Sequence, residues 1–307
     1  MRIVTQQVLG GPEVLQVSEA ARPEPGPTEV LVRVVAAGIN PVDWKVRAGG
    51  GFLGTPPFTV GWDVAGVVEE TGFGASGVGK GDEVLGMPWF PRPANAYAEY
   101  VTAPSRHFVR KPAELSHVEA AALPLAGLTA WQGLVDIGAV QSEQRVFIDA
   151  AAGGVGHLAV QIAKARGAYV IGTASAGKHD FLRELGVDEP IDYHDKTATT
   201  SDVDVFFGLV GEESDLRWLS AIKEGGLLIG VPGGVAERVE TAAAVRGVRT
   251  TNILVEPDRV GLLGLVELVE AKQLRVQVEQ TFPLDDVAKA HELGESGRVS
   301  GKLVLTI

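Results

Sequence analysis

The chain has 307 residues, 45% hydrophobic and 21% charged, an ordinary globular balance that excludes a disordered chain and leads to an expectation of about two domains. Its 27 basic against 39 acidic residues leave a net charge of −12, a surface that repels phosphate backbones and anionic lipid, so neither nucleic-acid nor membrane partners are expected. The absence of cysteine excludes disulfides, thiolate nucleophiles and every cysteine-containing zinc site.

Residues Met1–Gly10 lack the pattern of a secretory signal, and the most apolar stretch, Ala120–Leu128, is too short to span a bilayer; a cytoplasmic location is the expectation. The first ~115 residues read as all-β. Strands are predicted at Glu29–Ala37, Asp63–Glu70, Gly81–Met87 and Ala96–Ala103, separated by Pro- and Gly-rich turns. The character changes at Ser116, where Ser116 and Glu119 fit a capping box. The helical region that follows is interrupted at Pro124 and closed by Gly138. Strands are then predicted at Arg145–Ala150, Ala168–Ala174, Val203–Leu209 and Gly226–Val231, with helices at Gly154–Arg166 and Lys178–Leu185. That alternation implies a parallel sheet with helices on both faces. A helix at Pro257–Lys272 is followed by a strand at Val276–Phe282, a helix at Asp286–Leu293 and a strand at Lys302–Ile307.

The strongest local signal lies between Val146 and His157. Gly153, Gly154, Val155 and Gly156 occupy a strand-to-helix junction of the kind that binds dinucleotides. Gly153 and Gly154 let backbone approach a pyrophosphate, Gly156 permits close helix–strand packing, and the helix N-terminus supplies N–H groups and positive dipole. Val155, Leu158, Ala159, Ile162 and Ala163 form one apolar helix face. Ala151 replaces the first glycine of the usual fingerprint. An NAD site carries a carboxylate ~20 residues beyond the glycines for the ribose 2′-hydroxyl. Here none occurs before Asp180, and Ser175 and Lys178 are placed to donate to a 2′-phosphate, although Lys178 also fits as a solvated first-turn lysine. NADP(H) is the expected cofactor.

Several collinear motifs carry a family resemblance: Gly38–Asp43 (GINPVD), Gly61–Val68 (GWDVAGVV), Gly81–Val84 (GDEV), Ala121–Trp131 (AALPLAGLTAW), Ala151–Gly156 (AAGGVG) and Gly301–Leu305 (GKLVL). Together they resemble the medium-chain dehydrogenase/reductase superfamily, in its zinc-free quinone oxidoreductase and enone reductase branch. The resemblance implies an α/β chain with a GroES-like, β-rich catalytic domain over residues 1–121 and 258–307. A Rossmann domain with a doubly wound parallel sheet occupies 122–257, and the active cleft is expected at their junction. Zinc-dependent relatives carry a Cys in the first loop and a Gly-His-Glu further on; Asn40–Asp43 and Gly61-Trp62-Asp63 stand there instead, and the six histidines show no paired spacing, so no metal is expected.

Without a metal to polarise an alcohol, an electron-poor acceptor needs only a hydride at carbon and a donor near its oxygen. The expected function is NADPH-dependent reduction of a quinone or α,β-unsaturated carbonyl, a small-molecule electron acceptor. The resemblance makes Asn40, Asp43 and Lys45 the catalytic candidates, on the loop after the first long strand, Lys45 matching an enone-reductase lysine. Asn40 and Asp43 fit equally as a turn around Pro41, and Lys45 as a surface lysine. The resemblance adds Thr129, Tyr193, Gly208 and Gly230 to the cofactor contacts; helix packing for Thr129 and core packing for Tyr193 are the alternatives. The family usually has an Asp where Gly208 stands. Relatives pair through the last Rossmann strand, here near Thr251–Val255, which implies a homodimer. An idle NADPH-binding redox sensor or partner-binding protein, and a tailoring reductase of a polycyclic metabolite, remain the alternative functions.

Overall fold

The computed structural model describes Met1–Val231 and Gly233–Ile307. Two compact units emerge, one of Met1–Leu128, Glu256–Glu270 and Val276–Ile307, the other of Thr129–Val255 and Ala271–Arg275. Sequence reasoning sets the limits at residues 122 and 257. The compact units divide within the helix Pro124–Trp131, between Leu128 and Thr129, and again at Val255/Glu256.

The first unit opens with the antiparallel pair β1 (Arg2–Thr5) and β2 (Gln16–Glu19). Strand β3 (Glu29–Ile39) leads directly into helix α1 (Pro41–Gly49). This corrects the expected loop. Asn40 is extended, Pro41 occupies the first helical position where its missing N–H costs nothing, and the Asp43 carboxylate accepts from the Asn40 N–H at 2.6 Å. Strands β4 (Val64–Thr71), β5 (Glu83–Gly86), β6 (Tyr100–Pro104) and β7 (Phe108–Arg110) follow. Residues Ala96–Glu99 do not join β6 as predicted. Helix α2 (His117–Ala122) begins with the predicted capping box, Ser116 N–H donating to Glu119 Oε2 at 2.8 Å and Glu119 N–H to Ser116 Oγ at 3.2 Å. Helix α3 (Pro124–Trp131) starts at the predicted break and passes into a π-helical turn at Gln132–Ile137.

Beyond it the chain alternates through β8 (Arg145–Ile148), α4 (Gly156–Ala165), β9 (Tyr169–Ala174), α5 (His179–Leu185), β10 (Glu189–Asp192), β11 (Val203–Gly208), α6 (Glu212–Trp218), β12 (Ile222–Gly230), α7 (Glu237–Val245) and β13 (Arg249–Asn252). These strands form one six-stranded sheet, all parallel, in the order β10-β9-β8-β11-β12-β13. The order reverses between β8 and β11, so the carboxyl ends of those two strands flank the crevice where such sheets bind ligands. Phe147, Phe206 and Trp218 stack edge to face at 5.0 and 4.9 Å at the centre of this unit's core.

Helix α8 (Arg259–Glu270), β14 (Val278–Pro283), α9 (Val287–Glu295) and β15 (Lys302–Thr306) complete the first unit. Its main sheet runs β14-β15-β3-β4-β5-β7, with β6 also on β3. The C-terminal strand therefore lies beside the strand that delivers Asn40. Among the described residues, no helix is long and apolar enough to cross a membrane.

Candidate functional site

The glycine turn of the second unit follows β8. Ala150, with φ +46°, gives its N–H to both Asp149 Oδ1 (3.0 Å) and Thr173 Oγ1 (2.9 Å), and Ala151 N–H donates to Thr173 O at 2.8 Å. A Cβ on Gly156 would stand 2.3 Å from Ala150 O and 2.7 Å from Ala151 Cα, so only glycine lets α4 start this close to the strand. The alanine at the fingerprint's first position is accommodated from across the sheet. A side chain on Gly172 of β9 would press on Ala151 Cβ at 2.9 Å, and its absence makes room for that methyl. A Cβ on Gly153 would meet only Ala150 O, at 3.2 Å, leaving the turn's outer side open to a ligand. At the start of α4, His157 N–H donates to Gly153 O at 3.0 Å and Leu158 N–H to Val155 O at 3.2 Å, and the positive end of the helix dipole favours an anion on this side of the turn.

Helix α4 is buried from Gly156 through Ala163, beyond the single face its pattern implies. Gln161 explains part of this: its amide exchanges hydrogen bonds with the Arg275 backbone, at 3.0 and 2.8 Å, which holds Arg275 against the helix. At the end of β9, Ser175 and Lys178 are half-buried, and the first acid beyond them, Asp180, points outward to Arg183 at 2.8 Å. Tyr193, just past β10, is 43% exposed, which excludes core packing, and its N–H donates to Ala174 O at 3.3 Å. Gly208 and Gly230 end the adjacent strands β11 and β12, joined by Val231 N–H to Gly208 O at 3.1 Å. Thr129 is buried in α3. The turn, Ser175, Lys178, Tyr193, Gly208 and Gly230 thus share the carboxyl edge of one sheet.

In the first unit Asn40 and Asp43 are buried and committed to neighbours, whereas Lys45 is exposed on α1. Asn40 Nδ2 donates to Asp63 Oδ2 at 2.8 Å and its Oδ1 accepts from Lys302 Nζ, which also donates to Ile39 O at 2.7 Å. Asp63 Oδ1 accepts from Leu125 N–H at 2.7 Å and lies 3.7 Å from Lys302 through its other oxygen. Asp43 accepts from Tyr97 Oη at 2.9 Å, and Tyr97 in turn meets His291 at 3.4 Å. Arg47 binds His291 Nδ1 at 3.1 Å and Glu295 at 2.8 Å. Nδ1 accepts from that guanidinium, so the imidazole proton belongs on Nε2. Asp63, Tyr97, His291 and Lys302 escape sequence reasoning; only the motifs GWD and GKLVL mark two of them.

Burial pushes the Asp63 carboxyl up and the Lys302 ammonium down, and their mutual attraction opposes both shifts. Burial together with Arg47 lowers His291 to about 3. Asp43 is raised from 3.8 to about 7, chiefly by burial, against its hydrogen bonds from Asn40 and Tyr97. Its neutral form is therefore favoured by folding: stability is highest below the unfolded value and is lost as pH rises towards about 7. Asp43→Asn, which keeps an acceptor for Asn40 N–H, is expected to flatten the rise of urea midpoint on acidification across that window.

Comparison with known proteins gives two family matches: the alcohol dehydrogenase GroES-like domain over residues 26–113 and a zinc-binding dehydrogenase domain over residues 185–305. The chain is 34% identical to a 2-methylene-furan-3-one reductase of Solanum lycopersicum, over 96% of this chain and 76% of the relative. The quinone oxidoreductase of Coxiella burnetii has a similar structure, with a TM-score of 0.94 and 37% identity, over 100% of this chain and 99% of the other. That of Escherichia coli, solved with NADPH, has a TM-score of 0.89 and 28% identity, with both chains covered fully.

The second match is named for zinc, an ion for which these residues offer the following donors. Trp62, where zinc-dependent relatives carry histidine, is buried and offers only an indole N–H, which donates to Arg92 O at 2.8 Å. Asn40 is held between Asp63 and Lys302, whose ammonium already balances the buried carboxylate. Among the described residues, no three or more His, Asp or Glu are grouped so as to hold a metal ion. The donor set does not fit zinc. The glycine turn, by contrast, fits a pyrophosphate.

Proposed function

The chain belongs to the medium-chain dehydrogenase/reductase superfamily, in its quinone oxidoreductase and enone reductase branch, and on that premise we propose that it is a zinc-independent, NADPH-dependent reductase of quinones or α,β-unsaturated carbonyls. It is an oxidoreductase that uses a nicotinamide dinucleotide. The observation that carries the cofactor preference is the end of β9. Ser175 and Lys178 stand there, and no carboxylate precedes the outward-turned Asp180. A 2′-phosphate would meet donors, not a repelling carboxylate. Gly153, Gly154, Val155 and Gly156 would hold the pyrophosphate, with Tyr193 beside the adenosine phosphate, and Thr129, Gly208 and Gly230 toward the nicotinamide end.

When bound, the cofactor supplies the hydride. Lys45, the exposed member of the candidate trio, donates a hydrogen bond to the acceptor's oxygen as it becomes anionic. Asn40 and Asp43 position it: they fix the first turn of α1, on which Lys45 stands. We further propose a homodimer formed along β13, the exposed edge of the parallel sheet, in a soluble protein of the cytoplasm.

Tryptophan-fluorescence titration with NADPH and NADH, followed by turnover of a quinone and enone panel, tests the reading. NADPH is expected to bind about tenfold or more tightly than NADH, the worth of one or two charge-assisted hydrogen bonds. Lys45→Ala is expected to lower kcat about 10²-fold or more with NADPH affinity little changed, the loss of one oxyanion donor. Equal NADPH and NADH affinity would remove the preference, and no turnover of any acceptor would remove the activity.

A further inference from the structure

We propose that Asp149 and Asp215 form a carboxyl pair beneath the dinucleotide turn whose protonation is coupled to cofactor binding, so that the chain takes up a proton as it binds the anionic nucleotide. The proposal rests on the nucleotide reading of that turn.

Both residues lie where the strand order reverses. Asp149 continues β8 and donates its N–H to Phe207 O at 3.1 Å, beside Gly208 at the end of β11. Its carboxylate is buried and accepts through both oxygens: Oδ1 from Thr173 Oγ1 (2.5 Å) and Ala150 N–H (3.0 Å), and Oδ2 from Ser214 Oγ (2.5 Å). The carboxylate is therefore bonded to the first residue of the turn. Asp215, next along α6, is equally buried, but its Oδ1 has no hydrogen-bond partner among the described residues. That oxygen lies 2.5 Å from where a side chain on Gly208 would begin, filling space that only a glycine there leaves open.

Two buried carboxyls that feel each other's charge resist double ionisation. Burial first, and Asp149 second, raise Asp215 from 3.8 to about 6. The remaining charges around it are spoken for. Glu212 and Glu213 of α6 face Arg238 of α7 at 3.5 Å, and Arg217 turns to the carbonyls of Tyr193 and Asp195 at 2.6 Å. On the neighbouring strands, the pairs Lys223–Asp204 and Arg145–Glu189 lie at the amino ends of β12, β11, β8 and β10, the opposite edge of the sheet from Asp215. Among the described residues, no cation forms an ion pair with either carboxyl. A pyrophosphate seated on the turn adds negative charge on the same side of the sheet. The neutral form of Asp215 then gains, and the proton comes from solvent. Binding is consequently favoured by acid and weakens as pH rises. If binding raises Asp215 by about one pH unit, affinity falls about fivefold between about pH 6 and pH 8.

The test is calorimetric titration of the full chain with NADPH and with NADH, in buffers of different ionisation enthalpy, which counts protons directly. NADH serves because the 2′-phosphate of NADPH titrates near pH 6 itself. Wild type is expected to take up a fraction of a proton with NADH near neutral pH and Asp215→Asn to take up none, and with NADPH the two proteins are expected to differ by that same fraction. Should Asp215→Asn fail to fold, Asp149→Asn replaces it, with uptake expected to fall because the second charge is gone. Binding of NADH by wild type without proton uptake, or a proton count on NADPH binding that is the same in wild type and the folded variant, overturns the coupling while leaving the nucleotide site standing. Binding of neither nucleotide overturns both.

Discussion

Gly156→Ala is expected to lose most nucleotide affinity and to unfold earlier than wild type. The added Cβ would sit 2.3 Å from Ala150 O and 2.7 Å from Ala151 Cα, both backbone atoms held in place by other bonds. Ala150 is tied to Asp149 and Thr173, and Ala151 to Thr173 O, so the turn cannot yield without breaking those contacts. Helix α4 must move instead, and it is buried for its first two turns. Overpacking of that kind costs about 1–3 kcal/mol. A displaced helix N-terminus also stops pointing its amides at the pyrophosphate, for an affinity loss of about tenfold or more per displaced charge-assisted bond. Gly153→Ala provides the contrast. Its Cβ would meet a single atom, Ala150 O at 3.2 Å, which asks for a shift of only a few tenths of an ångström, so the fold should lose far less than with Gly156→Ala, while the methyl intrudes on the ligand's side. Thermal melts and NADPH fluorescence titrations separate the two: Gly156→Ala should lose both stability and binding, Gly153→Ala chiefly binding. A Gly156→Ala protein that melts and binds like wild type would show that the close helix–strand approach is not required.

The contrast between the two sites shows what a linear reading can and cannot reach. The glycine turn is local: strand, turn and helix are contiguous, each residue's task follows from its place in about twelve positions, and periodicity marks both flanks. The helix at Pro41–Gly49 is equally local, yet Asn40-Pro41-Val42-Asp43 reads as a turn because an N-cap, a first-turn proline and an acidic third residue are also turn chemistry. What settles it is packing, since Val46 and Arg47 are buried. The cluster around Asn40 is the opposite case. Asp63 and Lys302 lie 239 positions apart and meet only because β15 returns to pair with β3, placing Leu303 opposite Ile39. No periodicity announces a buried lysine at the start of a C-terminal strand. The pairing of Asp149 with Asp215 is hidden for a related reason: it depends on α6 folding back over strand ends that are far apart in sequence but adjacent in the sheet.

Lys302→Met is expected to be among the most damaging single substitutions in the first unit. The ammonium is buried, donates to Ile39 O and Asn40 Oδ1, and lies 3.7 Å from the buried Asp63 carboxylate. Methionine fills a similar volume but leaves two acceptors without that donor and one carboxylate without its counter-charge. Breaking a buried ion pair from one side costs about 3–5 kcal/mol. The sign of its pH dependence follows from Asp63. Burial already raises that carboxyl, and removal of Lys302, the largest influence holding it down, raises it further. The protonated form is then the one the folded state accepts, so the penalty is greatest at neutral and alkaline pH and shrinks as pH falls through the raised value. Urea unfolding near pH 8 and near pH 5 should therefore show a smaller gap from wild type at the lower pH. Adding Asp63→Asn should recover part of the loss by removing the stranded charge, because residues in contact do not contribute independently. An unchanged urea midpoint for Lys302→Met, or a gap that widens on acidification, would show that the ammonium is not what stabilises this carboxylate. A loss with the expected pH dependence would tie the C-terminal strand to the placement of Asn40, and through α1 to Lys45.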